Sequence, residues 1–153
     1  PDREELMKGS SEATVAEALR TIDDPAIAVW KPPDDARNWK PADYLVWYDG
    51  KAAMIEVKDC PAVRGFPLLQ IRPTQRAWAW RCSEVGIPYL LVIHWQRTQD
   101  WTISNALEVL RWEKQDNVLH KSVPRVLLQG AFGVQTEGRL LAASLRLALL
   151  GEM

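Results

Sequence analysis

Two strand-like runs, Ala42–Tyr48 and Ala52–Lys58, flank Asp49-Gly50, and this more than any other feature limits what the chain can fold into. An Asp-Gly pair between apolar runs is a strong short-range hairpin signal, because the turn needs backbone angles that these residues tolerate. A helix precedes the hairpin. Ser10 or Ser11 is expected to cap it, and it should run to about Arg20, with Val15, Ala18, Leu19 and Ile22 as its buried stripe. Asp24-Pro25 ends it, Ala26–Lys31 reads as a short strand, and the proline-rich segment Pro32–Pro41 reads as a loop.

Downstream, residues 59–72 read as a basic loop and Pro73–Gly86 as a second helix closed by its glycine. Pro88–Trp95 has the unbroken apolar character of a strand buried on both faces. After the turn Gln96–Asp100 comes Trp101-Thr102-Ile103, then a helix capped by Ser104 and reaching about Gln115. A final helix spans Glu137–Leu150. The order implies one α/β (α+β) domain over residues 1–153, a mixed sheet with helices packed on it. Leu140, Leu141, Leu145 and Leu149 form one stripe of the last helix, and Leu147 and Leu150 widen it. A homodimer interface is one expected use of that width.

Composition narrows the setting. Apolar residues make up 47% of the chain, enough for a packed core. No apolar run approaches the length of a membrane span, and residues 1–8 lack the apolar region of a secretory signal, so no membrane partner is expected. Cys60 and Cys82 are expected to be reduced thiols in a cytoplasmic protein. The net charge of −1 is unevenly spread, with a balance of −4 over residues 1–30 and +3 over residues 31–81. A nucleic-acid binder needs basic residues only on the face that meets phosphate.

The chemistry-bearing residues cluster at the hairpin. Asp43 opens its first strand, and Glu56-Val57-Lys58 closes the second. Glu56 and Lys58 share one side of their strand and Val57 takes the other. Two carboxylates on adjacent strands suit a hard cation such as Mg²⁺, with Mn²⁺ as a substitute, at a site assigned to Asp43, Glu56 and Val57. Such a cation polarises a phosphodiester, and Lys58 can orient the attacking water or stabilise developing charge. Glu12, on the inward stripe of the first helix, is the expected third acid, whereas Glu17 points to solvent. Gln75, one turn before Trp78 on a stripe continued by Cys82 and Val85, could reach the site to hold a water or phosphate. Lys8, Arg37, Trp39, Lys40, Arg64, Arg72 and Arg76 flank it as candidate DNA-binding residues. Trp47, Trp78 and Trp112 read as core, and His94 and His120 as structural.

With Asp43 thirteen residues before Glu56-Val57-Lys58, the chain resembles the PD-(D/E)XK nucleases, Ala42-Asp43 standing where that motif has Pro-Asp. Gly65-Phe66-Pro67-Leu68 with Gln75, Leu110-Arg111-Trp112-Glu113 and Lys121-Ser122-Val123-Pro124 are similar, in order, to stretches of the RecU Holliday-junction resolvases. Lys8-Gly9-Ser10-Ser11-Glu12 is similar to the N-terminal G-x-x-x-E of RecU and archaeal resolvases, one residue shorter. The resemblance covers residues 8–128. It implies a restriction-endonuclease-like core (α-β-β-β-α-β) with extra C-terminal helices, and metal-dependent cleavage of branched DNA by a dimer. RecU proteins carry a long stalk between the first two strands. Here only Pro32–Pro41 stands in that place, with Arg37 and Trp39 available for phosphate contact and stacking. Two alternatives stay open: a PD-(D/E)XK nuclease of restriction or DNA-end processing, and a non-cleaving junction-binding factor.

Overall fold

A computed structural model describes residues 3–22, 24–33, 40–130, 136–137 and 141–151. Its elements run α1 (Arg3–Thr21), β1 (Ile27–Trp30), β2 (Tyr44–Tyr48), β3 (Lys51–Cys60), β4 (Gly65–Pro67), α2 (Pro73–Val85), β5 (Tyr89–Trp95), β6 (Asp100–Asn105), α3 (Ala106–Trp112), β7 (Ser122–Pro124), α4 (Arg125–Gly130), β8 (Thr136–Glu137) and α5 (Leu141–Leu150). The main sheet has six strands in the order β1-β2-β3-β5-β6-β8, and β4 pairs with β7 in a separate ribbon.

Asp49 and Gly50 both adopt positive φ, 51° and 73°, so a two-residue turn joins β2 to β3. That turn pairs Tyr48 with Lys51 and Tyr44 with Ile55, which puts Asp43, one step before β2, level with Glu56. β3 and β5 run parallel, an arrangement that needs a crossover, and α2 supplies it. Gly86 closes α2 at φ 74°, its N–H reaching back to the carbonyls of Cys82 and Ser83.

Because side chains alternate across a strand, the sheet has two packed faces. On one, Ile55, Val57, Val92 and Ile103 meet Val15 and Leu19 of α1 and Leu141 and Leu145 of α5. On the other, Met54, Leu91, Ile93 and Trp95 meet Ala79 and Cys82 of α2 and Val109 and Leu110 of α3. The α1 stripe is buried as expected, and Cys60 and Cys82 are buried free thiols.

Several sequence expectations are corrected. α1 begins at Arg3, so Ser10 and Ser11 lie inside the helix and do not cap it, and the Ser11 hydroxyl turns to Asp59 and His94. Residues 59–72 hold the end of β3, the strand β4 and a 3-10 turn at Leu68–Gln70. Ser104 lies inside β6, and Asn105 is the cap of α3, its side chain accepting from the Leu107 N–H at 2.9 Å. Glu137 is in β8, and the last helix begins at Leu141; Leu140 lies outside the described residues. Trp47 is 46% exposed, because its side of β2 faces away from the covered part of the sheet. Trp78 and Trp112 are half-buried, and the buried tryptophans among the described residues are Trp95 and Trp101. Val85 is exposed, since the buried stripe of α2 runs through Gln75, Ala79 and Cys82 instead.

Candidate active site

The hairpin register brings Asp43 and Glu56 together at the end of the sheet where β2 begins. Both are buried, at 6% and 5% exposure. The Asp43 N–H donates to Glu56 Oε2 at 3.1 Å, and the Val57 N–H donates to Asp43 Oδ2 at 2.8 Å. Backbone donors thus hold one oxygen of each carboxylate, leaving Asp43 Oδ1 and Glu56 Oε1 to side-chain partners.

Those partners are basic or amide groups. Lys58 Nζ lies 3.4 Å from Glu56 Oε1, and Lys40 Nζ lies 3.5 Å from Asp43 Oδ1. Gln75 arrives from the first turn of α2. Its amide donates to Glu56 Oε1 at 2.6 Å, and its carbonyl oxygen accepts from Lys58 Nζ and from the Arg72 N–H, both at 3.0 Å. Gln75 therefore ties the lysine to the carboxylate and caps its own helix at once. Tyr89, at the head of β5, lies beneath the cluster and donates to the Pro41 carbonyl at 2.6 Å.

Burial, and next the charge of Asp43, push Glu56 up to about 7. Burial pulls Lys58 below its ordinary value, and the nearby Glu56 carboxylate opposes that. Tyr89 is pushed up by burial, then by Glu56 and Asp43. Two crowded carboxylates in a dry site favour a cation beside them.

Of the expected site residues, the structure gathers Asp43, Glu56, Lys58 and Gln75, with Lys40 as a fifth member. Glu12 lies half-buried on α1, and its backbone carbonyl accepts from Tyr44 Oη at 3.1 Å, next in sequence to Asp43. Val57 has its side chain in the core and its N–H on Asp43, so only its carbonyl could serve a cation. Arg64 and Arg72 are exposed. Arg76 is engaged inside the fold, with Glu113 Oε2 at 2.6 Å and the carbonyls of Leu68 and Ile71 at 2.8 and 2.9 Å. Arg37 and Trp39 lie outside the described residues, and Lys8 is described only by its backbone in α1. Among the described residues, no group of three or more His, Cys, Asp or Glu forms a metal-binding cluster. Mg²⁺ commonly takes only one or two protein carboxylates and completes its shell with water and phosphate, so Asp43 and Glu56 fit it.

Sequence reasoning missed Tyr89, whose position at the start of an apolar strand carries no functional signal. It also missed a second polar cluster across the sheet. There Ser11 Oγ donates to Asp59 Oδ1 and lies 3.2 Å from His94 Nδ1, and the His94 ring packs on Trp101 at 4.5 Å between centroids. His94 and His120 have structural settings; His120 stacks on Trp112 at 4.4 Å.

Comparison of the chain with protein-family models and with curated proteins finds no match. Among solved structures, it is similar to Hjc, a Holliday junction resolvase from the archaeal hyperthermophile Archaeoglobus fulgidus. The TM-score is 0.50 at 10% identity, over 86% of this chain and 97% of that one. At this identity the likeness is one of fold, and the mixed sheet flanked by helices that the sequence implies is the architecture found. No helix among the described residues is long and apolar enough to cross a membrane.

Proposed function

We propose that the chain is a metal-dependent endonuclease that resolves four-way DNA junctions, RecU-like in its motif order, acting in the cytoplasm as a homodimer with one site per subunit. The observation that carries this reading is the set of buried Asp43, Glu56 and Gln75 with the half-buried Lys58, joined by contacts of 2.6–3.4 Å. It sits on a fold similar to that of a junction resolvase. A cluster that buries two carboxylates against a lysine suits phosphodiester hydrolysis better than binding alone.

In this reading Asp43 and Glu56 hold Mg²⁺, or Mn²⁺ in its place, with the Val57 carbonyl as a further oxygen. When bound, the ion supplies Lewis-acid charge to the scissile phosphate. Asp43 and Glu56 are preoriented by the backbone N–H groups of Val57 and Asp43. Lys58, steered by Gln75, orients the attacking water or stabilises charge on the phosphate. Glu12 is proposed to complete the acidic set from α1. Lys8, Arg37, Trp39, Lys40, Arg64 and Arg72 make the DNA contacts, while Arg76 serves the fold.

Incubating the protein with labelled four-way junctions and linear duplex of the same sequence, with and without Mg²⁺, tests the reading. Paired symmetric nicks in the junction alone, only with Mg²⁺, are expected. Equal cutting of duplex would move the reading to restriction or end processing, and binding without cutting would move it to a non-catalytic junction factor. Light scattering on a gel-filtration column should give twice the 17.4 kDa chain mass.

A further inference from the structure

Lys40 stands at the point where the chain leaves the Pro32–Pro41 segment and enters the site. Pro41 and Ala42 are buried, and the hydroxyl of Tyr89, itself 1% exposed, holds the Pro41 carbonyl at 2.6 Å. That bond clamps the backbone one residue past Lys40, so its side chain starts from a fixed point at the mouth of the site. The Lys40 ammonium lies 3.5 Å from Asp43 Oδ1, and that of Lys58 lies 3.4 Å from Glu56 Oε1. Each buried carboxylate thus has an ammonium beside it. Lys58 also meets Gln75, whose amide is fixed by Glu56 and the Arg72 N–H. The Lys40 side chain is the more exposed of the two, at 18% against 12%.

A divalent cation that takes Asp43 must contend with the positive charge already there. Resting on the metal-nuclease reading, we propose that Lys40 is a displaceable internal counter-ion, neutralising Asp43 before metal arrives and moving from the carboxylate to a DNA phosphate when the cation takes its place. The carboxylate trades one positive charge for two, and DNA phosphates supply the negative charge that meets both the released ammonium and the extra charge of the cation. Metal and DNA binding are thereby coupled. In the protein alone, Lys40 competes with the cation; once a phosphate draws Lys40 away, the cation binds more tightly, and by reciprocity bound metal tightens DNA.

Titration calorimetry with MnCl₂ and no DNA tests this on wild type, Lys40→Met and Lys40→Arg. Lys40→Met should bind Mn²⁺ more tightly, by on the order of tenfold, because a positive charge beside the site is removed. Lys40→Arg should stay near wild type, since the charge is kept. A residue that only supported the site's structure would give the opposite sign, weaker binding on removal. Lys40→Gln is read the same way if the Met variant fails to fold. Equal or weaker binding by the neutral variants, with wild type binding Mn²⁺ through a site lost in Asp43→Ala, overturns the exchange and leaves the nuclease reading standing. A wild type that binds no Mn²⁺ overturns both.

Discussion

The two faces of β3 carry polar clusters of opposite character. Toward α2, Glu56 and Lys58 join Asp43, Lys40 and Gln75, and Glu56 is held with its proton affinity raised by burial and by a like charge. Toward α1, Asp59 meets Ser11 and His94, and among the described contacts of that group no second carboxylate takes part. The first cluster crowds two carboxylates and two ammonium groups where water is scarce, an arrangement that costs stability and suits a site that takes a cation. The second has one carboxylate and two partners for it, as expected of a contact that fastens a helix to a sheet. Polar burial alone does not mark a functional site; like charges crowded together are the stronger sign.

The sharpest break of this contrast is in catalysis. Asp43→Ala or Glu56→Ala should abolish junction cleavage while largely sparing junction binding, because affinity rests on many distributed phosphate contacts. Asp59→Ala should leave cleavage within about tenfold of wild type at saturating metal. Cleavage gels and gel shifts on the three variants check this, and loss of cleavage in Asp59→Ala equal to that in Asp43→Ala would erase the distinction.

Next in size is Lys58→Ala, expected to slow cleavage by about a hundredfold or more without removing metal binding. Lys58→Arg should recover little, since a planar guanidinium does not replace a compact ammonium held by one amide. Single-turnover rates alongside Mn²⁺ calorimetry separate the roles; weakened metal binding with normal cleavage at saturation would contradict them.

Stability against pH distinguishes the faces more gently. The folded chain keeps the Glu56 proton up to about 7, whereas the unfolded carboxyl loses it near 4.5. Between those values the native state binds more protons, so stability falls as pH rises, by roughly 3 kcal/mol in total. Mg²⁺, which favours the ionised carboxylates, should raise the melting temperature at pH about 8 much more than at about 5. Thermal melts at both values, with and without Mg²⁺, check the sign; an equal Mg²⁺ effect at both contradicts it. Smallest is Ser11→Ala, expected to cost about 1 kcal/mol in denaturant unfolding with cleavage unchanged.

Much of the site is legible locally. A two-residue turn at Asp49-Gly50 sets the pairing of Tyr44 with Ile55, so Asp43 must come level with Glu56, and period two puts Lys58 on the side of Glu56. Gln75 was also within reach, since the buried stripe of α2 includes it, although that stripe runs on through Ala79 and not Val85. Arg76 shows the limit. As a basic residue near the site it reads as a phosphate ligand, yet α3 brings Glu113 to it from 37 residues away, and no local pattern signals that. Trp47 fails likewise, because its exposure depends on which strip of sheet a helix covers.

The sequence by itself therefore determined the hairpin, its register and the pairing of Asp43 with the Glu56-Lys58 side of β3, because turn chemistry and alternation act over a few residues. Only the tertiary structure decided that Gln75 bridges Glu56 and Lys58, that Tyr89 clamps Pro41, and that Lys40 rests on Asp43. Those contacts depend on the crossover that lays β5 parallel to β3 and sets the start of α2 over the sheet end. Such packing is fixed by burial summed over the whole core, which no short stretch of residues encodes.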